Sequence, residues 1–110
     1  MTTIDDIFKD IADESAQAVK EEFTQLFTQA KAESEELVKE NAEKVKEWLA
    51  ALVLKQLDKD GIGQLFAAQQ RKIVQFLNTQ QIEERARLEK ITLKIIDIAL
   101  NKIVPLILHV

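Results

Sequence analysis

The sequence has no cysteine and no tyrosine, a single proline, two glycines and one histidine. Each shortage excludes something. Without cysteine there are no disulfides, thiolate metal sites or cysteine nucleophiles. With so little glycine and proline, the many turns of a β-sandwich or a βαβ fold have no residues to make them. Histidine occurs only at His109, next to the last residue, so the Glu-x-x-His pattern of helical carboxylate metal sites cannot be assembled. No glycine-rich phosphate loop is present. Ser15, Ser34 and the threonines have no base arranged beside them by motif, which leaves nucleophilic catalysis without support. The first residues are acidic and lack the basic start and apolar run of a secretory signal, so a cytoplasmic location is expected.

What is present points to helices. Apolar residues make up 46% of the 110 positions and charged residues 31%, a balance suited to one folded domain over residues 1–110. From Ile4 to Leu57 there is neither glycine nor proline, and apolar residues recur at three- and four-residue steps: Ile7/Phe8, Ile11, Val19, Phe23, Leu26/Phe27, Val45, Trp48/Leu49 and Leu52/Val53. Unbroken, such a helix would be ~80 Å long. The same spacing resumes after Gly63 and runs from Leu65/Phe66 to Ile103. The expected organisation is therefore a helical arm over residues 3–57, a turn at 58–63 with Gly61 as left-handed C-cap, and a second arm over 64–104. A softer break is expected near 78–80, and an apolar tail follows from Pro105 over 105–110.

Charge is distributed unevenly. Up to Glu47 there are 13 acidic and 6 basic residues, and from Trp48 onward 6 acidic and 9 basic. Oppositely charged arms suit an antiparallel hairpin about Gly61, which would bring Phe23, Leu26 and Phe27 level with Ile95, Ile96 and Ile98. The same pairing sets Glu33, Glu35 and Glu36 level with Arg85 and Arg87. Residues 91–104 are apolar beyond a single stripe, and burying each Leu, Ile or Val is worth ~1.5–3 kcal/mol. Either the long helices break and fold back into a compact bundle, or hairpins associate. Break signals other than the central one are poor, which favours association. The expectation is an all-α hairpin that completes a four-helix bundle by homo-oligomerisation, most simply a dimer. Its seam would comprise Phe8, Ile11, Phe23, Phe27, Ile95, Ile96, Ile98 and Ile103.

Residues Asp58-Lys59-Asp60-Gly61-Ile62-Gly63-Gln64-Leu65-Phe66-Ala67-Ala68-Gln69 resemble the calcium loop of the EF-hand family. Asp58 and Asp60 match its first two ligand positions, Gly63 its turn glycine and Leu65 its apolar position. The resemblance implies a helix–loop–helix with Asp58 and Asp60 as calcium ligands. Ile62, Phe66 and Gln69 stand where further ligands belong, including the closing bidentate glutamate, and calcium wants 6–8 oxygens. An acidic turn is the plainer reading, and neither metal nor cofactor is expected.

The pairs Glu21/Glu22, Glu35/Glu36 and Glu83/Glu84 read as solvated helix faces. Arg71, Lys72, Arg85, Arg87, Lys90 and Lys94 are interleaved with Glu83, Glu84 and Glu89, so nucleic acid is not an expected partner. Residues 91–110 carry Lys94, Asp97, Asn101, Lys102 and Pro105, which argues against a membrane-spanning segment. The functional expectation is a non-enzymatic assembly, adaptor or chaperone-like protein that holds a protein partner, with Glu33, Glu35, Glu36, Glu40 and Glu43 as an acidic partner-facing patch. Two alternatives are a small acidic inhibitor or immunity protein for a basic enzyme, and an amphipathic coat on lipid or another apolar surface.

Overall fold

A computed structural model describes residues 3–108, and among these every regular element is a helix. The elements are α1 (Ile4–Phe8), α2 (Ala16–Ala32), α3 (Glu36–Val53), α4 (Lys59–Leu77), α5 (Ile82–Ile98), a π-helical segment (Ala99–Ile103) and α6 (Val104–Leu108).

The first arm is not one helix. Thr3 opens α1 with a capping box: its hydroxyl accepts from the Asp6 N–H at 3.2 Å, and its own N–H donates to the Asp6 carboxylate at 3.0 Å. The chain leaves the helix after Phe8 and re-enters it at Ala16. There Asp13 accepts from the Ser15 N–H at 2.9 Å and from the Ser15 hydroxyl at 2.7 Å. A second break at residues 33–35 uses no glycine or proline. Glu33 and Glu35 take extended backbone conformations, and Glu36 follows in the first turn of α3, where carboxylates favour the positive helix end.

The central turn lies earlier than expected, at residues 54–58. Both glycines are inside α4, and neither has a positive φ. The left-handed residue is Lys55, at φ 62°. It completes a Schellman closure of α3: the Gln56 N–H donates to the Ala51 carbonyl at 2.8 Å and the Lys55 N–H to the Leu52 carbonyl at 3.1 Å. Asp58 then caps α4, accepting from the Gly61 N–H at 2.7 Å. The chain turns once more at residues 78–81, between α4 and α5.

With these breaks the chain builds a four-helix arrangement by itself. α2 packs on α3 and α5, α4 packs on the same two helices, and α3 meets α5 across the middle. Ion pairs show the sense of the α2–α5 contact: Glu33 meets Arg87 at one end, and Glu22 lies 3.4 Å from Lys102 at the other, so the helices run antiparallel. Consecutive helices therefore alternate in direction. One end of the bundle gathers α1, the 54–58 turn, the π-helical segment and α6. The other carries the turns at 33–35 and 78–81. The molecule measures 42 × 26 × 24 Å, about half the length of the uninterrupted arm expected from periodicity.

The core explains why no second chain is needed to cover the apolar end. Phe23, Leu49, Phe66, Ile95, Ile98 and Ile103 are all fully enclosed within one chain. Six of the eight residues assigned to a dimer seam, Phe8, Phe23, Ile95, Ile96, Ile98 and Ile103, are thus spent on intramolecular packing, while Ile11 and Phe27 stay half-buried.

Candidate functional site

Two neighbouring clefts lie at the end of the bundle that holds α1 and α6. There α6 follows α5 through a π-helical segment whose cause is local. Pro105 has no N–H, and its ring crowds the carbonyl four residues back, so the preceding turn widens and the Val104 N–H reaches the Ala99 carbonyl. α6 packs across α3, and a cleft lies on each side of it.

The first cleft, of about 710 Å³, is walled by Ile7 and Ile11 from the first helix and the stretch after it, Leu52, Val53 and Leu57 from the end of α3 and its turn, and Ile107 and Leu108 from α6. Its polar lining is Asp10, Lys55, Gln56 and Asp58. Ile11, Val53, Leu57 and Ile107 are only half-buried, so they keep apolar surface in water. The second cleft, of about 740 Å³, lies between the start of α4 and the π-helical segment, with Gly63, Ala67, Leu100, Val104 and Pro105 among its lining. Leu108 borders both clefts and is 46% exposed. Concavities of this size, with apolar walls beside polar rims, suit small ligands or the side chains of a partner's helix.

The residues singled out by sequence distribute differently. Phe8, Phe23, Ile95, Ile96, Ile98 and Ile103 are buried, while Phe27 is half-buried and stacked on Phe23 with ring centroids 6.4 Å apart. Of that set only Ile11 reaches a cleft. The acidic set lies toward the opposite end of the bundle and is partly neutralised from within. Glu33 is paired with Arg87, Glu36 lies 3.6 Å from Lys39, and Glu43 lies 2.9 Å from Lys31 and 3.2 Å from Lys46. The hydrogen bond from Lys31, reinforced by Lys46, holds the Glu43 carboxyl below its usual value. Glu35 and Glu40 are exposed and have no ion-pair partner among the described residues. The Arg87 guanidinium, hydrogen-bonded to Glu33 and Glu84, is held in its charged form.

Asp58 and Asp60 do not stand in a calcium loop. Residues 59–77 are helix, and Asp58 spends one carboxylate oxygen on the α4 cap. Among the described residues no group of three or more His, Asp or Glu side chains is arranged to hold a metal ion. Likewise, no described helix is long and apolar enough to cross a membrane.

One buried polar cluster escaped the sequence reading. Asn41, Gln69 and Thr92 are enclosed in the bundle: Gln69 Nε2 donates to Asn41 Oδ1 at 2.9 Å, and Asn41 Nδ2 donates to the Thr92 carbonyl at 3.2 Å. The Thr92 hydroxyl donates to the Leu88 carbonyl at 2.8 Å. The cluster joins α3, α4 and α5, and no fully buried side-chain nitrogen or oxygen among the described residues is left without a partner. The signal for Asn41 was an amide at a position in register with Val38, Val45 and Leu49.

Compared with known proteins, the chain matches no family model, no curated protein sequence and no solved structure.

Proposed function

We propose that this protein is a non-enzymatic helical interaction protein, of the adaptor, assembly or chaperone-like kind, that binds a protein partner at the terminal end of its bundle. The observation that carries this reading is the pair of clefts flanking α6, whose half-buried apolar walls would gain burial from a partner's side chains. This reading moves the partner surface from the acidic patch of Glu33, Glu35, Glu36, Glu40 and Glu43 to the end cleft, with one chain as the binding unit. A photo-crosslinking residue at Gln56, on the cleft rim, is expected to give one discrete adduct in cells. The same residue at Gln25, on the exposed face of α2, is expected to give none. Adduct formation at both sites alike, or at neither, would sink the reading.

A second reading, the small acidic inhibitor of a basic enzyme, draws support from Glu35 and Glu40, exposed and unpaired at the other end. It predicts that the adduct forms from a crosslinker at Glu40 and that reversing Glu35, Glu36 and Glu40 abolishes it. An amphipathic coat on lipid would need an uncovered apolar helix face, and Phe23, Ile95 and Ile98 are turned inward.

A further inference from the structure

The first cleft combines an apolar floor with a one-sided charge. Its lining contains two carboxylates, Asp10 and Asp58, against one cation, Lys55. The wall that Ile7 and Ile11 contribute belongs to a stretch, residues 4–14, carrying five carboxylates against the single Lys9. Part of this charge is already engaged: Asp5 lies 2.6 Å from Lys20, and Asp6 and Asp13 bond to Thr3 and Ser15. Asp10 and Glu14 have no ion-pair partner among the described residues, and both are exposed. Asp58 uses Oδ1 for its cap and has no cation within ion-pair distance among the described residues.

Resting on the protein-binding reading above, we propose that this cleft docks a basic amphipathic segment of the partner. Its apolar side chains would enter between Ile11, Leu57 and Ile107, and its lysine or arginine cations would meet Asp10 and Asp58. Two features make a basic occupant fit better than an acidic or neutral one. An acidic segment would set its carboxylates against Asp10 and Asp58, with Lys55 the one cation in the lining. A purely apolar one would leave those carboxylates without new partners as the cleft closes and water is removed. Apolar burial supplies the affinity, and the charges choose the sign of the partner and quicken encounter.

The test is a nitrogen-15 amide titration of the full chain with a short Leu/Lys amphipathic peptide, beside its Leu/Glu counterpart. The Leu/Lys peptide is expected to shift amides around Ile11, Leu57 and Ile107 and the Leu/Glu peptide to shift none. Asp10→Lys together with Asp58→Ser, which keeps a helix-capping side chain, is expected to weaken binding about tenfold or more. The control Glu40→Lys, at the far end, is expected to change it less than about twofold. Cleft shifts from the Leu/Glu peptide would overturn the charge assignment and leave a peptide-binding cleft standing. Shifts confined to residues 35–47 would overturn this inference in favour of the acidic-face reading. No shift with either peptide would overturn both the inference and the cleft as a protein-binding site.

Discussion

Lys55 is the one described non-glycine residue with a positive φ, and the position it holds is one that glycine ordinarily takes. A Cβ in the left-handed region costs about 1 kcal/mol, while the Schellman closure of α3 keeps the residue there. Lys55→Gly is therefore expected to raise the urea midpoint, by about 0.5–1 kcal/mol at unchanged m. Lys55→Val should lower it by more than that, since a β-branched side chain tolerates this region least. The two true glycines separate in the opposite manner. At Gly63 an added Cβ meets nothing within 4 Å, so Gly63→Ala in mid-helix should stabilise the fold by up to about 1 kcal/mol. At Gly61 the Cβ would stand 3.0 Å from the Asp58 carboxylate oxygen that caps α4, so Gly61→Ala should forfeit the same gain. An increase for both glycine variants alike would show that the cap is not as described.

At the scale of elements, Asn41, Gln69 and Thr92 decide how α3, α4 and α5 are set against one another. Apolar stripes alone slide, because burial has no direction, whereas an amide buried among Val38, Val45 and Leu49 finds its partners in one register only. Asn41→Ala strands the Gln69 amide and removes the second hydrogen bond of the Thr92 carbonyl, and should cost about 2 kcal/mol or more by thermal or chemical unfolding. Replacing Asn41 and Gln69 together by leucine should cost much less than the sum of the single changes, but should broaden amide resonances of α3 and α4 as alternative registers open. Sharp, fully dispersed spectra from the double variant would mean that packing alone sets the register. One aromatic contact lies at the same α3–α4 interface: Trp48 meets Phe66 edge-on, with centroids 5.7 Å apart.

For the whole molecule, the radius of gyration of 13.7 Å matches the ~13 Å typical of a compact chain of this length. Sedimentation velocity should accordingly give one 12.6 kDa species of low frictional ratio; an elongated dimer would restore the hairpin seam. The bundle's electrostatic ties give its acid response a sign. The Glu43 carboxyl, hydrogen-bonded by Lys31 and then Lys46, ionises below its ordinary 4.5 in the folded protein. A depressed carboxyl contributes stability that is complete above its unfolded value and is lost as pH falls through the folded one. Thermal stability should therefore drop between about pH 5 and pH 3. Lys31→Met should flatten part of that drop and leave the neutral-pH midpoint nearly unchanged, because the pair is partly exposed. A drop of the same steepness in the variant would remove Glu43 from the account.

Periodicity by itself determined that the chain is helical: three- and four-residue apolar steps and the lack of turn residues admit nothing else. It also fixed the need to enclose residues 91–104, since so much apolar surface will not stay in water. What it could not reveal was where the first arm bends. The break at residues 33–35 uses a carboxylate that pairs only once a neighbouring helix is in place, as Glu33 does with Arg87. The break at 9–15 is marked by a local Asp13–Ser15 bond between residue types that a helix surface also carries. The glycines likewise drew the central turn to 58–63, although α3 closes on Lys55 and the glycines are tolerated inside α4. Those bends turned an arm that would have needed a second chain into helices that cover one another. The tertiary structure thus decided that the apolar end is core, and that a cleft beside α6 keeps part of its apolar wall open. The physical reason is that burial is indifferent to whether its partner comes from the same chain or another, so the bends alone chose between them.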